Sequence, residues 1–101
     1  MQSRTIRRNH LYRLRRIRGL GQKHLALLLG YRTASMISRF ESGSALPALP
    51  AAMLLEMALG TRLSEIYIDL DQTLRDQIIK RADRLPPHLG RHIRGRLLGK
   101  D

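Results

Sequence analysis

The sequence contains no cysteine and no tryptophan, and it has one phenylalanine and three tyrosines. Without cysteine, a disulfide framework, a thiolate metal site and a cysteine nucleophile are all excluded. No apolar run approaches the ~20 residues that span a membrane, and no apolar stretch follows the basic N-terminus as a secretory signal requires. We therefore expect a cytoplasmic chain with no membrane partner, whose core consists of leucine, isoleucine, methionine and alanine.

Acidic residues are also scarce. Eight Asp and Glu stand against 19 Lys and Arg, which leaves a net charge of +11. The excess is uneven, because residues 1–24 contain eight basic residues and no acid. Such a field attracts phosphates and releases their counterions, so a polyanionic partner is the natural inference. The alternative is a charge that serves only solubility, although solvated faces usually mix their signs.

The stretch from Gln22 to Gly43 predicts two short helices. Leu25, Ala26 and Leu29 share one face of a helix that begins near Gln22, and Gly30 ends it because the turn needs a left-handed residue.

The second of these helices follows a short turn. Thr33 can cap it, Ile37 and Phe40 supply its buried stripe, and Gly43 ends it. Two short helices joined by a tight, glycine-containing turn are typical of a helix-turn-helix, whose second helix enters the DNA major groove.

The surrounding residues resemble the phage-repressor and Cro-type (lambda-repressor-like) helix-turn-helix family. That resemblance covers roughly residues 9–67 and implies an all-α domain of five helices. Six residues separate Gly30 from Ile37, one more than in the shortest turn of the family, so we expect a longer turn. The matching positions are Leu11, Leu14, Arg15, Gly19, Leu20, Gln22, Leu25, Ala26, Leu29, Gly30, Ile37, Ser38, Glu41, Gly43, Pro47, Leu59, Gly60 and Leu63.

The resemblance also implies the residues that read DNA bases. Ala34, Ser35, Ser38 and Arg39 occupy the face of the recognition helix opposite Ile37. Arg39 is the foremost candidate, because its planar fork can donate twice to guanine O6 and N7. The alternative for Arg39 is a contact with the DNA backbone that carries no sequence information.

A second group of residues is expected to contact phosphates. Gln22 and Lys23 stand at the start of the second helix, where free backbone N–H groups favour an anion. Residues 1–8 form a basic arm that can follow the phosphates or enter the minor groove, or else a frayed terminus. The predicted phosphate contacts are Gln22, Lys23, Arg32, Thr33, Ser42, Ser44, Arg4, Arg7 and Arg8.

The first helix has a structural role in this scheme. Asn9 can cap it, and Leu11, Leu14 and Ile17 are expected to face inward. In the family, the positions matching Arg15 and Glu41 form a partly buried ion pair. We therefore expect these two residues to stabilise the fold and not to touch DNA.

The fourth helix, residues 50–59, is apolar nearly all round and has Pro50 in its first turn. A short fifth helix follows at residues 63–67. For the fourth helix we expect Leu49, Ala52, Met53, Leu55 and Leu59 to face the core, which leaves Leu54, Met57 and Ala58 in need of cover.

Residues 68–101 form a C-terminal extension beyond the DNA-binding domain. Its periodicity predicts an amphipathic helix over residues 69–85, capped by Asp69 or Asp71 and ended by Pro86. We expect this helix to cover Leu54 and Met57 within one chain or across a homodimer. A weak short helix at most is expected after residue 88. His88 and His92 have no third ligand nearby, so no metal site is predicted.

Together these patterns favour a sequence-specific double-stranded DNA-binding regulator, in particular a repressor that binds an inverted repeat as a dimer. No catalytic constellation and no cofactor site is recognised. Two alternatives remain: an antitoxin that binds DNA and a protein toxin, and a non-specific nucleic-acid-binding protein.

Overall fold

The computed structural model describes residues 9–99, and this part of the chain is all α-helical, with seven helices and no strand. The predicted all-α class is therefore confirmed. None of the described helices is long and apolar enough to cross a membrane. The helices are α1 (Leu11–Ile17), α2 (Gln22–Leu29), α3 (Ser35–Ser42), α4 (Leu49–Leu59), α5 (Leu63–Ile66), α6 (Ile68–Ala82) and α7 (Pro87–Leu97).

The ends of α2 and α3 follow from the local sequence. Gly30 and Gly43 have φ angles of +84° and +81°, the left-handed region that glycine enters without strain. At the start of α1 the N-cap is His10 and not the predicted Asn9, although the Asn9 side chain accepts a hydrogen bond from the Leu11 N–H at 2.9 Å. The turn before α3 is one residue longer than a cap at Thr33 would give. Ala34 is the N-cap, and the Thr33 hydroxyl only reaches the Ser35 N–H at 3.4 Å.

The core of residues 9–70 lies where α2 packs against α3 and α4 while α1 meets α3. Its buried side chains are mainly leucine, isoleucine and alanine, as the composition predicts, but Phe40 and Tyr67 are buried there too and no methionine of the described residues is. Because the buried side chains come from all five helices α1 to α5, burying them fixes the mutual placement of these helices. The largest fully buried members are Phe40, Leu11, Leu25, Ile37, Leu55, Leu59 and Ile66.

Three expected core positions are wrong. Ile17 is 63% exposed, because the buried face of α1 contains Arg15, at 5% exposure, and not Ile17. Leu49 and Met53 of α4 are 70% and 49% exposed, and the smaller Ala51 is buried in their place. A helix that is apolar all round offers no periodic signal to choose its buried face.

Tyr67, which follows α5 directly in the chain, is buried in the core at 4% exposure. Its hydroxyl has no hydrogen-bond partner among the described residues. Burial raises the pKa of Tyr67 from 10.0 to about 12, because the charged phenolate is poorly solvated there.

The chain divides into two compact units, with a boundary between Leu70 and Asp71. The predicted capping of α6 by Asp69 or Asp71 is wrong, because the helix already begins at Ile68, directly after Tyr67. It also ends at Ala82, three residues earlier than expected, in line with the aversion of residues before a proline to the helical region.

A weak C-terminal helix was also the wrong expectation, since α7 is a regular helix of 11 residues. Pro87 occupies its first turn, where the missing N–H costs nothing. Gly90 is buried, and a Cβ built on it would lie 2.9 Å from the Ala82 carbonyl oxygen. The low helix propensity of glycine suggested that α7 would be interrupted at Gly90. Instead, the absence of a side chain at Gly90 permits the close approach of α6 and α7.

Candidate nucleic-acid interface

The helix α3 has one buried face and one exposed polar face. Ile37 and Phe40 are 0% and 1% exposed, so this side of the helix is anchored in the core. Ser35, Ser38 and Arg39 are exposed. Spacings of three and four residues place these three side chains on a common face. Four predicted base contacts thus stand at or next to one accessible surface, with Ala34 partly buried at its N-terminal edge.

The C-terminal end of α3 is held by an ion pair with α1. Arg15 Nε lies 2.5 Å from Glu41 Oε2, and the two side chains are only 6% and 8% exposed. The remaining guanidinium donors reach Glu41 Oε1 at 3.3 Å and the Leu20 carbonyl at 2.9 Å. A buried guanidinium with three acceptors is well satisfied, which offsets part of the cost of taking the charge out of water.

Two further hydrogen bonds join α3 to its neighbours. Gln22 Nε2 donates to Glu41 Oε1 at 2.9 Å, and Asn9 Nδ2 donates to the Phe40 carbonyl at 2.9 Å. One amide hydrogen of Gln22 is therefore used inside the protein. The sequence predicted a phosphate contact for Gln22 and did not predict this internal bond. These links fix where the exposed face of α3 points relative to α1 and α2.

A groove with a volume of about 630 Å³ lies beside the start of α3. Lys23 and Arg32 supply its positive charge, and no carboxylate of residues 9–99 lines it. Thr33 belongs to the same groove and its hydroxyl is 3.0 Å from that of Ser35, so the groove borders the exposed face of α3. The lining residues are Lys23, His24, Ala26, Leu27, Tyr31, Arg32, Thr33 and Ala34.

The predicted serine contacts lie at the opposite end of α3. Ser42 and Ser44 are exposed, and their hydroxyls are 3.1 Å apart. Ser42 also donates to the Arg39 carbonyl at 3.1 Å. These hydroxyls and the basic groove thus flank the face of α3 from its two ends. Arg4, Arg7 and Arg8 lie outside the described residues.

Two residues of this surface, Leu27 and Tyr31, were missed by the sequence reasoning, and the structural role of His24 was not foreseen. His24 caps the start of α2, because its Nδ1 accepts a hydrogen bond from the Gly21 N–H at 2.8 Å. Its spacing of three residues from Gly21 was the signal that could have revealed this. Leu27 and Tyr31 form apolar parts of the groove, and Leu27 is 75% exposed. Leu27 stands off the predicted buried face of α2 and Tyr31 follows the Gly30 that ends this helix, and neither position carries a sequence signal for a groove.

The chemistry of this surface suits an extended anion with both charged and apolar parts. Guanidinium, ammonium and hydroxyl groups are hydrogen-bond donors to phosphate oxygens, while Leu27 and Tyr31 offer contact area for sugar or methyl groups. No protein-family model, no curated protein and no solved structure matches the chain. The function is therefore inferred from the residues and their geometry.

Proposed function

We propose that the protein binds double-stranded DNA sequence-specifically and regulates transcription, acting as a repressor that occupies an inverted-repeat site as a dimer. The observation that carries this proposal is the two-sided character of α3. Its buried face is locked into the core by Ile37 and Phe40, and its opposite face presents Ser35, Ser38 and Arg39 to solvent. Donors on a rigid, exposed helix are what reading base edges in the major groove requires.

The charge of the chain supports the same proposal. Residues 1–24, which include Lys23, carry a net charge of +8, and the groove beside α3 adds Arg32 and has no carboxylate among its described lining residues. Phosphate contacts of this kind supply affinity and orient the protein, while the face of α3 supplies the choice of sequence. Such a role is one of binding and not of catalysis. A protein with this role would be found in the cytoplasm, on the nucleoid.

The division of labour is tested by two arginine variants. We expect Arg39→Ala to cost about 1–3 kcal/mol on a selected site and much less on random duplex DNA, because it removes a base contact. Arg32→Ala is the matched control, since this arginine is also exposed but lies in the groove. It should weaken binding to both duplexes alike. It should also reduce the slope of the logarithm of the binding constant against the logarithm of the salt concentration by about one, as the loss of one phosphate contact does.

The readout is fluorescence anisotropy with labelled duplexes at several salt concentrations. Equal losses on selected and random DNA for both variants would refute the assignment of Arg39 and favour non-specific nucleic-acid binding. Co-purification of a small protein that blocks DNA binding would favour the antitoxin alternative instead.

A further inference from the structure

The His24 side chain takes part in two features at the start of α2. Its Nδ1 accepts the hydrogen bond from the Gly21 N–H at 2.8 Å, and the same side chain lines the groove beside α3. His24 is exposed although it makes this bond. One imidazole ring therefore contacts both the backbone of the protein and the candidate interface.

The hydrogen bond with Gly21 determines which ring nitrogen of His24 carries the proton. A nitrogen that accepts a hydrogen bond from an N–H group is unprotonated, so Nδ1 has no proton. In the neutral imidazole the proton then resides on Nε2, which makes this second nitrogen a donor. Among residues 9–99, the bond with Gly21 is the one hydrogen bond of the His24 side chain, so Nε2–H is available to a partner.

The residue type at this position decides the charge of the groove. In a capping box, Glu or Gln at the third position of a helix accepts the hydrogen bond from the backbone N–H of the N-cap residue. A glutamate at position 24 would add a carboxylate to a groove whose charged residues, within the described chain, are Lys23 and Arg32. Histidine makes the same backbone bond with a neutral acceptor and keeps a donor on its other nitrogen. The start of α2 is thus capped without negative charge.

We propose that neutral His24, held by the Gly21 N–H, donates a hydrogen bond from Nε2 to a phosphate oxygen of the DNA backbone in this groove. The inference rests on the proposed function and deepens it by naming a further contact. Lys23 and Arg32 supply the positive charge that attracts phosphates to the groove. The ring adds a donor whose direction is already fixed by the bond with Gly21, and such contacts orient a protein on the duplex.

The alternative is that His24 only caps α2. Any side chain that accepts the Gly21 N–H would then serve equally well when DNA is bound. Glu and Gln both cap a helix from this position, and a glutamate also interacts favourably with the positive end of the helix dipole. They differ in the second hydrogen bond, because the amide of glutamine retains a donor and an ionised glutamate has none. This difference separates the two roles.

The test compares His24→Glu, His24→Gln and His92→Glu by fluorescence anisotropy on a selected duplex. His92→Glu makes the identical change of residue and charge at an exposed position that does not line the groove. We expect His24→Glu to raise Kd about tenfold more than His92→Glu does, because it sets a carboxylate against a phosphate. His24→Gln should stay within about threefold of the parent, because its amide can replace both hydrogen bonds. Thermal denaturation checks that both His24 variants remain as stable as the parent.

NMR of the parent tests the same contact without any substitution. The nitrogen chemical shifts of the His24 ring should show a protonated Nε2, and this signal should move when the duplex is added. Equal losses for His24→Glu and His92→Glu, a proton on Nδ1, or an Nε2 signal that the duplex does not move would each overturn the proposal. If the parent still binds the selected duplex, the proposed function survives these results. A parent that binds no duplex would overturn both.

Discussion

Gln22 donates its side-chain amide to Glu41 at 2.9 Å, on the carboxylate that also pairs with Arg15. One nearly buried carboxylate therefore joins α1, α2 and the end of α3. Since the exposed face of α3 is the proposed reading surface, this carboxylate sets the angle at which that face meets a partner. We therefore infer that Glu41 positions the proposed reading surface without being part of it, since its side chain is only 8% exposed.

Removal of this carboxylate should be costly. We expect Glu41→Ala to lower the free energy of unfolding by about 3–5 kcal/mol, because it leaves the Arg15 guanidinium buried without its charge partner. Asp83→Ala is the control, because its ion pair with Arg94 is exposed and should contribute less than about 1 kcal/mol. Thermal and urea denaturation measure both. If the Glu41→Ala protein unfolds like the parent, the pair is not structural.

A double variant separates the ion pair from simple loss of packing. Arg15→Met combined with Glu41→Leu removes both charges and keeps apolar volume, so most of the stability lost in Glu41→Ala should return. A double variant as unstable as Glu41→Ala would instead point to the hydrogen bonds with Gln22 and the Leu20 carbonyl.

Tyr67→Phe should stabilise the protein by about 1 kcal/mol, because it removes a buried hydroxyl that has no hydrogen-bond partner. Urea denaturation at pH 7 measures the difference. A loss of stability of the same size would show that the hydroxyl has a bonding partner in solution.

The same residue predicts a pH dependence. Burial raises the pKa of Tyr67 to about 12, so the folded protein keeps a proton that the unfolded chain releases near pH 10. Below pH 10 the phenol is protonated in both states, and its ionisation does not affect the free energy of unfolding. As the pH rises from 10 towards 12, the unfolded chain loses the proton first, and the free energy of unfolding falls by about 2–3 kcal/mol in total. The parent should therefore lose stability relative to Tyr67→Phe over this range. A constant difference between the two proteins from pH 8 to pH 12 would contradict the burial of the phenol.

The close approach of α6 and α7 gives a further prediction. Gly90→Ala gains helix propensity, but its new Cβ would lie 2.9 Å from the Ala82 carbonyl oxygen, and backbone cannot yield as a flexible side chain does. We expect a net loss of about 1–3 kcal/mol for this unit. His92→Ala, at an exposed position of the same helix, should be nearly neutral. Amide hydrogen exchange in residues 87–97 reads this unit directly. Unchanged protection in Gly90→Ala would show that the helices are not in contact there.

Local signals predicted the first half of the fold well. Gly30 and Gly43 mark helix ends because few other residues adopt their positive φ angles, and Ile37 and Phe40 mark a buried face because their spacing matches a helical turn. The same reasoning failed for Leu49 and Met53, because periodicity is silent on an all-apolar helix. It also failed for α7, where Gly90 serves a contact between helices that a single segment does not reveal.

The candidate site was predictable to a similar extent. Exposed polar positions on α3 follow from the buried ones, so Ser35, Ser38 and Arg39 could be named from the sequence. The bond between Gln22 and Glu41 could not, since it joins residues 19 positions apart and depends on how the helices pack. The place of Leu27 in the groove is a tertiary feature for the same reason.

The central claim is tested most directly by selection from a random pool of duplex DNA at physiological salt, followed by sequencing of the bound fraction. The account predicts enrichment of an inverted repeat whose half-site centres are about 10 bp apart, as two recognition helices of a two-fold dimer require. Tight binding without any enriched sequence would contradict it, because the net charge of +11 would then account for all of the affinity and α3 would read no bases.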